Sequence, residues 1–250
     1  MSQWGFYFNQ DRCIGCKTCL TACKNWNDAR RGDAEVNELT VNPNLADSDN
    51  RTDANDYIDS ATGATNYARY RKYYMKEQWR RVETAETGAI TTDEKGIFRY
   101  NLDRRYLSIG CNHCEDPACV KVCPTGSIYK ESTIGAVLVN NINCISCGRC
   151  KDACPWSAPQ FYSENYRDFA LSDPARPKMT KCTLCLERVK DGRRPACVAA
   201  CWNRALDADT LEQLAIKYPG SPEALPEFES DYVEALGSNT NPSILFKAKS

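Results

Sequence analysis

The sequence is short of histidine and methionine. One histidine, His113, and three methionines occur in 250 residues. Charge of one sign is also missing. Lys and Arg number 32 against 33 Asp and Glu, a formal net charge of −1, which speaks against wholesale nucleic-acid binding. No apolar run approaches the ~18–20 residues needed to cross a bilayer, so no integral membrane protein is expected. Met1 to Phe8 lacks a basic region followed by an apolar stretch, so no secretory signal is expected. Arg30-Arg31 is followed by Gly32, Asp33 and Glu35 and does not read as a twin-arginine leader. Glycine-rich dinucleotide loops, a P-loop and a G-x-S-x-G elbow are all absent, which removes the common nucleotide-binding and acyl-transfer chemistries. Even apolar residues are thin. They make up 42% with cysteine counted and roughly 36% without it, low for an ordinary core.

Cysteine is what the sequence has in excess: 16 residues, all in groups of four. The groups are Cys13, Cys16, Cys19 and Cys23; Cys111, Cys114, Cys119 and Cys123; Cys144, Cys147, Cys150 and Cys154; and Cys182, Cys185, Cys197 and Cys201. The first and third share C-x2-C-x2-C-x3-C, the spacing that wraps a [4Fe–4S] cluster in bacterial ferredoxins. The second stretches the middle gap, and the fourth stretches it further. Residues three apart in a tight loop can aim three sulfurs into one concave pocket. The fourth sulfur, carried on by a helical turn, points away, and in two-cluster ferredoxins it ligates the neighbouring cluster. Gly15 and Gly148 give the loops conformational freedom. Ile14 and Ile145 are expected to cover the clusters. Pro124 and Pro155 complete the C-P signature, whereas Lys24 and Trp202 stand in that place in the first and fourth groups. Zinc is the plainer alternative, and the fourth group alone would pass for a zinc ribbon. Four cysteines within eleven residues are dense for one tetrahedral ion, and C-x2-C-x2-C is poor disulfide geometry. Four [4Fe–4S] clusters, roughly 16 irons, are therefore expected.

The groups pair. Between the second and third lies a predicted hairpin, Ile128-Tyr129 and Ala136 to Val139. Cys111 to Pro155 then reads as one two-cluster module. Crossed ligation predicts Cys111, Cys114, Cys119 and Cys154 around one cluster, and Cys144, Cys147, Cys150 and Cys123 around its neighbour. The first and fourth groups pair by elimination. Cys13, Cys16, Cys19 and Cys201 would hold a third cluster, and Cys182, Cys185, Cys197 and Cys23 the fourth. The fold class expected is α+β: two ferredoxin-like two-cluster modules, one inserted into the other, with a long loop insertion. The expected boundaries are 1–30 plus 176–210 for the split module, 31–106 for an arm and small hairpin, 107–175 for the internal module, and 211–250 for a C-terminal helix and tail. Each oxidised cubane with its thiolates carries about −2. Lys17, Lys24, Lys121, Arg149, Lys151 and Lys181 are candidates to offset that charge, or are simply solvated.

The remaining chain is less specific. From Asp28 to Asp59 there are nine acidic and three basic residues, read as a loop or weakly ordered arm. Asn66 to Arg81 interleaves Arg69, Arg71, Lys72, Lys76, Arg80 and Arg81 with Tyr67, Tyr70, Tyr73, Tyr74 and Trp79, which reads as a protein-interface arm rather than a single-strand nucleic-acid groove. Gln78–Glu83 and Ile97–Tyr106 are candidate strands of a small hairpin. Thr210 to Gln213 is a candidate capping box for a short helix stopped by Pro219-Gly220. Ile244 to Phe246 is a candidate strand or docking segment. His113, between two expected ligands, could bind metal, serve a quinol or hydrogen-bond beside a cluster, and the last is favoured. No catalytic residue is identified.

Four segments carry a resemblance: C-I-G-C-K-T-C from Cys13, C-N-H-C-E-D-P-A-C-V-K-V-C-P-T-G from Cys111, C-P-W-S-A-P-Q-F from Cys154 and T-K-C-T-L-C from Thr180. In order and over nearly the whole chain they resemble the iron–sulfur subunit of dimethyl sulfoxide reductase and its relatives. Arg31 to Met75 looks like an insertion relative to that subunit. The resemblance implies an electron-transfer subunit that serves a catalytic subunit carrying molybdenum or tungsten with bis-pterin guanine dinucleotide, and often docks on a membrane anchor that handles quinol. Sulfoxides, N-oxides, sulfur oxyanions, nitrate, formate and catechols are candidate substrates of such a partner. A free-standing polyferredoxin is the alternative, and no nucleic-acid partner is expected. Relatives of this kind can travel folded with a partner that bears a leader, so cytoplasm, export and the face of the cytoplasmic membrane all remain open.

Overall fold

The computed structural model describes residues 2–28, 78–140, 143–161, 178–221, 223, 225, 228 and 240–250. Trp4–Asn9 forms β1, whose Phe6 and Phe8 are fully buried. It is the middle strand of three. Leu206–Thr210 pairs with it antiparallel, Phe6 opposite Ala208, and Ile244–Lys247 pairs parallel, Phe6 opposite Ile244. The segment read as a strand or docking motif is thus a sheet edge. It lies close because Gly5 has no side chain: a Cβ there would meet the Ser243 carbonyl at 2.3 Å.

Thr210 ends one strand and caps the helix Leu211–Lys217, its Oγ1 accepting the Gln213 N–H at 3.2 Å. The expected reciprocal half of the box is replaced. Asp209 Oδ1, not Gln213, accepts the Thr210 N–H at 2.8 Å. The next sheet is longer than the small hairpin expected. Arg80–Thr92 pairs with Phe98–Gly110 along its whole length, Arg80 opposite Gly110 and Thr92 opposite Phe98. Backbone pairing carries both strands beyond the apolar pattern that marked them in the sequence. Leu107 to Gly110 are buried, whereas the far half stands in solvent.

The hairpin between the second and third groups is present as Ile128–Lys130 and Val137–Val139. Gln160-Phe161 pairs with Met179-Thr180, a contact the sequence did not announce. Most helices are single turns: Ala118–Lys121, Arg149–Asp152, Leu186–Lys190 and Ala196–Ala199. Such turns do not persist alone. Each sits against a cysteine loop. Thr18–Asp28 is longer and packs on Ala196–Ala199 and on Arg80–Thr92. The core is mixed: Phe6, Phe8, Leu107, Ile109, Trp156, Leu184 and Phe246 pack together with Cys19, Cys23, Cys111, Cys182 and Cys197. No described helix is long and apolar enough to cross a membrane.

The basic–aromatic arm needs correction at its end. Asn66 to the residue before Gln78 lies outside the described residues, as does the acidic stretch beyond Asp28. Arg80 and Arg81 are not arm residues at all. Both are 2% exposed, and neighbouring Trp79 donates its Nε1–H to Thr180 Oγ1 at 3.0 Å. They are the buried start of a strand, a role that sequence alternation cannot distinguish from an exposed basic stripe.

Candidate iron–sulfur sites

The four C-x-x-C loops share one backbone feature. The residue before the second cysteine is left-handed in each: Gly15 (φ 69°), His113 (φ 44°), Ser146 (φ 60°) and Leu184 (φ 58°). Three of these are not glycine and carry about 1 kcal/mol of strain each. The twist turns amides inward. Ser146 N–H points at Cys144 Sγ and Leu184 N–H at Cys182 Sγ, both at 3.4 Å. A second turn recurs after the fourth cysteine. Gly126, Ser157 and Arg204, each three residues on, are left-handed. The next amide then returns: Ala158 N–H to Cys154 Sγ at 3.5 Å and Ala205 N–H to Cys201 Sγ at 3.2 Å. Trp202 therefore occupies the same turn as Pro124 and Pro155. The first group departs instead, because Cys23-Lys24 continues inside the helix Thr18–Asp28.

Two hollows of similar volume collect cysteines from distant segments. One, of ≈360 Å³, is lined by Cys13, Cys16, Cys19 and Cys201, together with Ile14 and Trp202. The other, of ≈320 Å³, is lined by Cys123, Cys144, Cys147 and Cys150, together with Ile145 and Pro124. The remaining eight cysteines show their neighbours through their electrostatics. Burial pushes Cys23 up to about 12, with Cys197 and Cys185 adding to it and Arg80 opposing. Cys182 rises well above the usual thiol range through burial, then Cys23, Cys111 and Cys185. Burial raises Cys119 to about 12, with Cys111, Cys154 and Cys114 reinforcing and Lys181 opposing. Cys114 is likewise pushed up to about 12 by burial, Cys111 and Cys154.

These sites pass a chemical test for a cubane. Buried thiols that repel one another stay protonated unless a cationic core draws out their protons. Among the described residues, no three or more His, Cys, Asp or Glu side chains gather closely enough for one metal ion. A cubane holds its thiolates apart on separate irons, so the spacing suits a cluster better than zinc. Hydroxyl donors stand ready as well: Ser108 Oγ lies 3.2 Å from Cys19 Sγ, and Thr18 Oγ1 lies 3.4 Å from Cys16 Sγ.

His113 is fully buried, and its Nδ1 accepts the Val137 N–H at 3.0 Å. Burial, then Lys181 and Arg80, holds it well below the ordinary histidine range, so the ring is neutral and its proton sits on Nε2. It is a hydrogen-bonding residue of the loop, out of reach of any quinol in solvent. Of the six cations named from sequence, Lys17, Lys24, Lys121 and Arg149 are exposed, and Lys121 pairs with Asp116. Lys151 is half-buried, and Lys181 alone of the six is buried. Arg80 was missed as a cluster neighbour. Burial opposes its charge, but Cys197, Cys19, Cys182 and Cys23 outweigh that and raise its pKa. Nothing in its sequence position signals this.

Two family models, both described as 4Fe–4S dicluster domain, match residues 12–127 and 102–210. A polypeptide of the anaerobic dimethyl sulfoxide reductase of Haemophilus influenzae is 36% identical over 218 residues, covering 87% of this chain and 79% of that one. This protein belongs to the family of iron–sulfur subunits that includes that reductase component. Its counterpart in the Escherichia coli reductase is 32% identical over 217 residues, 87% of this chain and 78% of its own. A sulfite dehydrogenase component of Allochromatium vinosum is 30% identical over 240 residues, 91% of this chain and 80% of its own. This family member is an electron-transfer protein of four [4Fe–4S] clusters that works with a catalytic partner. The matched models run across the first and second groups and across the second to fourth, so they do not divide the chain as the modules read from sequence do.

Proposed function

We propose that the chain relays electrons between a molybdenum or tungsten bis-pterin catalytic subunit and a second redox partner, through clusters held by four crossed quartets. Cys13, Cys16, Cys19 and Cys201 hold the first, and Cys23, Cys182, Cys185 and Cys197 the second. Cys111, Cys114, Cys119 and Cys154 hold the third, and Cys123, Cys144, Cys147 and Cys150 the fourth. The observation that carries this is the pair of four-cysteine hollows, each containing one cysteine from a distant group. Bound there, the clusters supply one-electron oxidation and reduction. The protein's own part is to hold the sulfurs, donate amide and hydroxyl hydrogens to them and exclude water from the middle of the molecule.

The order given follows the thiols that feel one another's charge. Cys23 acts with Cys19 on one side and with Cys182 on the other, and Cys182 with Cys111. The ends are open. Cys16 and Cys147 are exposed, beside Ile14 (50% exposed) and Trp202 (65%) at one end and Ile145 (52%) at the other. Exposed apolar residues beside a terminal cluster suit contact with a partner, where an electron must cross. One end serves the catalytic subunit, and the other a second redox partner such as a membrane anchor that handles quinol. The pairing of Trp4–Asn9 with Leu206–Thr210 supports a split outer module (1–30 plus 176–210) around an internal one (107–175). Cys201→Ser tests the crossing. It should alter the paramagnetic signal of the cluster at Cys13, Cys16 and Cys19; a change confined to a cluster of Cys182, Cys185 and Cys197 would overturn the assignment.

A further inference from the structure

Two cations lie deep in the molecule, and among the described residues no carboxylate answers them. Arg80 is 2% exposed and Lys181 is 1% exposed. Among the described residues, neither has an acidic partner. Arg81 next door is equally buried, but its Nε pairs with Glu83 at 2.8 Å. Burying an unpaired cation costs several kcal/mol, so such residues persist only where an anion compensates. Among the described residues, the candidates in reach are the cysteine sulfurs and whatever they hold.

The positions are specific. Arg80 Nη1 donates to Ser108 O at 3.2 Å and to Ser108 Oγ at 3.5 Å, and that hydroxyl lies 3.2 Å from Cys19 Sγ. Its guanidinium lies over the Phe6 ring, 4.6 Å from the centroid. The other thiols acting on it are Cys197, Cys182 and Cys23. Arg80 thus stands between the first and second quartets. Lys181 Nζ reaches Cys111 Sγ at 3.6 Å, Cys182 O at 3.2 Å and the Val137 carbonyl. Three acceptors for one nitrogen match the three protons of an ammonium. Lys181 thus stands between the second and third quartets.

We propose that Arg80 and Lys181 are junction cations that raise the reduction potentials of the clusters on either side of them. Reduction adds one negative charge, and a fixed cation a few ångströms away through a poor dielectric favours the reduced form. The same charge weakens the repulsion between two adjacent reduced clusters, so neighbours can be reduced together. The inference rests on the four-cluster reading above.

The test is a redox titration, followed by paramagnetic resonance, of the full chain purified anaerobically with its catalytic subunit. Signals are assigned with one cysteine-to-serine variant per quartet. Lys181→Met should shift the reduction equilibrium of the third cluster at least tenfold toward the oxidised form, a fall of 59 mV for one electron. Arg80→Met should do the same at the first cluster, and both variants should lower the second, which faces both cations. Unchanged potentials in both variants at full iron content overturn the proposal. Should a methionine variant lose iron, Lys181→Arg and Arg80→Lys decide. Full loading with parental potentials supports a need for charge, and failure to load marks a need for shape and overturns it. A shortage of iron in the unsubstituted protein would instead sink the cluster reading itself.

Discussion

At the scale of single residues, the loops show which position tolerates a side chain and which does not. Gly15, His113, Ser146 and Leu184 share the left-handed conformation, so that conformation alone does not demand glycine. The demand at Gly15 comes from its neighbour: a Cβ there would lie 2.4 Å from the Tyr106 ring. Gly15→Ala should therefore displace the first loop and remove about four irons per chain, measured by iron assay. Tyr106→Ala in the same chain should restore them by clearing the ring. A milder change is expected at Ser108, whose hydroxyl touches Cys19 Sγ. Ser108→Ala should lower one cluster potential by on the order of 40 mV, the equivalent of roughly 1 kcal/mol for one hydrogen bond, with iron content unchanged. Potentiometry on the loaded chain reads this directly.

At the scale of elements, the helices and sheets are too small to be stable on their own, and what they contact decides their worth. The cap at Thr210 belongs to a helix that buries only Leu214, so Thr210→Ala should cost about 1 kcal/mol. It should show as earlier thermal bleaching of the cluster absorbance, without loss of iron at rest. The hairpin of Arg80–Thr92 and Phe98–Gly110 divides sharply. Its base is buried and carries Arg80, Arg81 and Ser108, while Phe98 and Tyr100 near its tip are exposed. Phe98→Ser with Tyr100→Ser should leave bleaching temperature and potentials unchanged, since neither side chain supports the core; a clear drop in either would assign the tip a structural role. The sequence reading ended both strands too early because it followed apolar alternation, and backbone pairing needs none.

At the scale of the whole molecule, the apolar core is small and cysteines fill part of it. Cluster binding must therefore supply much of the folding free energy. Removing iron with acid and chelator should abolish most of the far-ultraviolet dichroism, and rebuilding the clusters anaerobically should recover it. An apo protein that kept its secondary structure would show that side-chain packing suffices.

How much could be read in advance follows from what each signal depends on. Cysteine spacing is local chemistry, so the four groups and the internal hairpin at Ile128 to Val139 were legible directly. The resemblance to the dimethyl sulfoxide reductase subunit rested on the same short segments. Arg80 was not legible. It sits in a run of basic and aromatic residues, and only its pairing opposite Gly110, one residue before Cys111, carries it inward. Lys181 was one of six equivalent cations until burial singled it out. The amino-acid order by itself determined the number of clusters and the shape of each loop, because a run of cysteines and turn residues constrains its own backbone. The crossed grouping of distant cysteines was expected from spacing and elimination, and the two hollows collect those same sets; only the tertiary structure decided which cations lie between them, because that choice depends on strands and helices that meet across long stretches of chain.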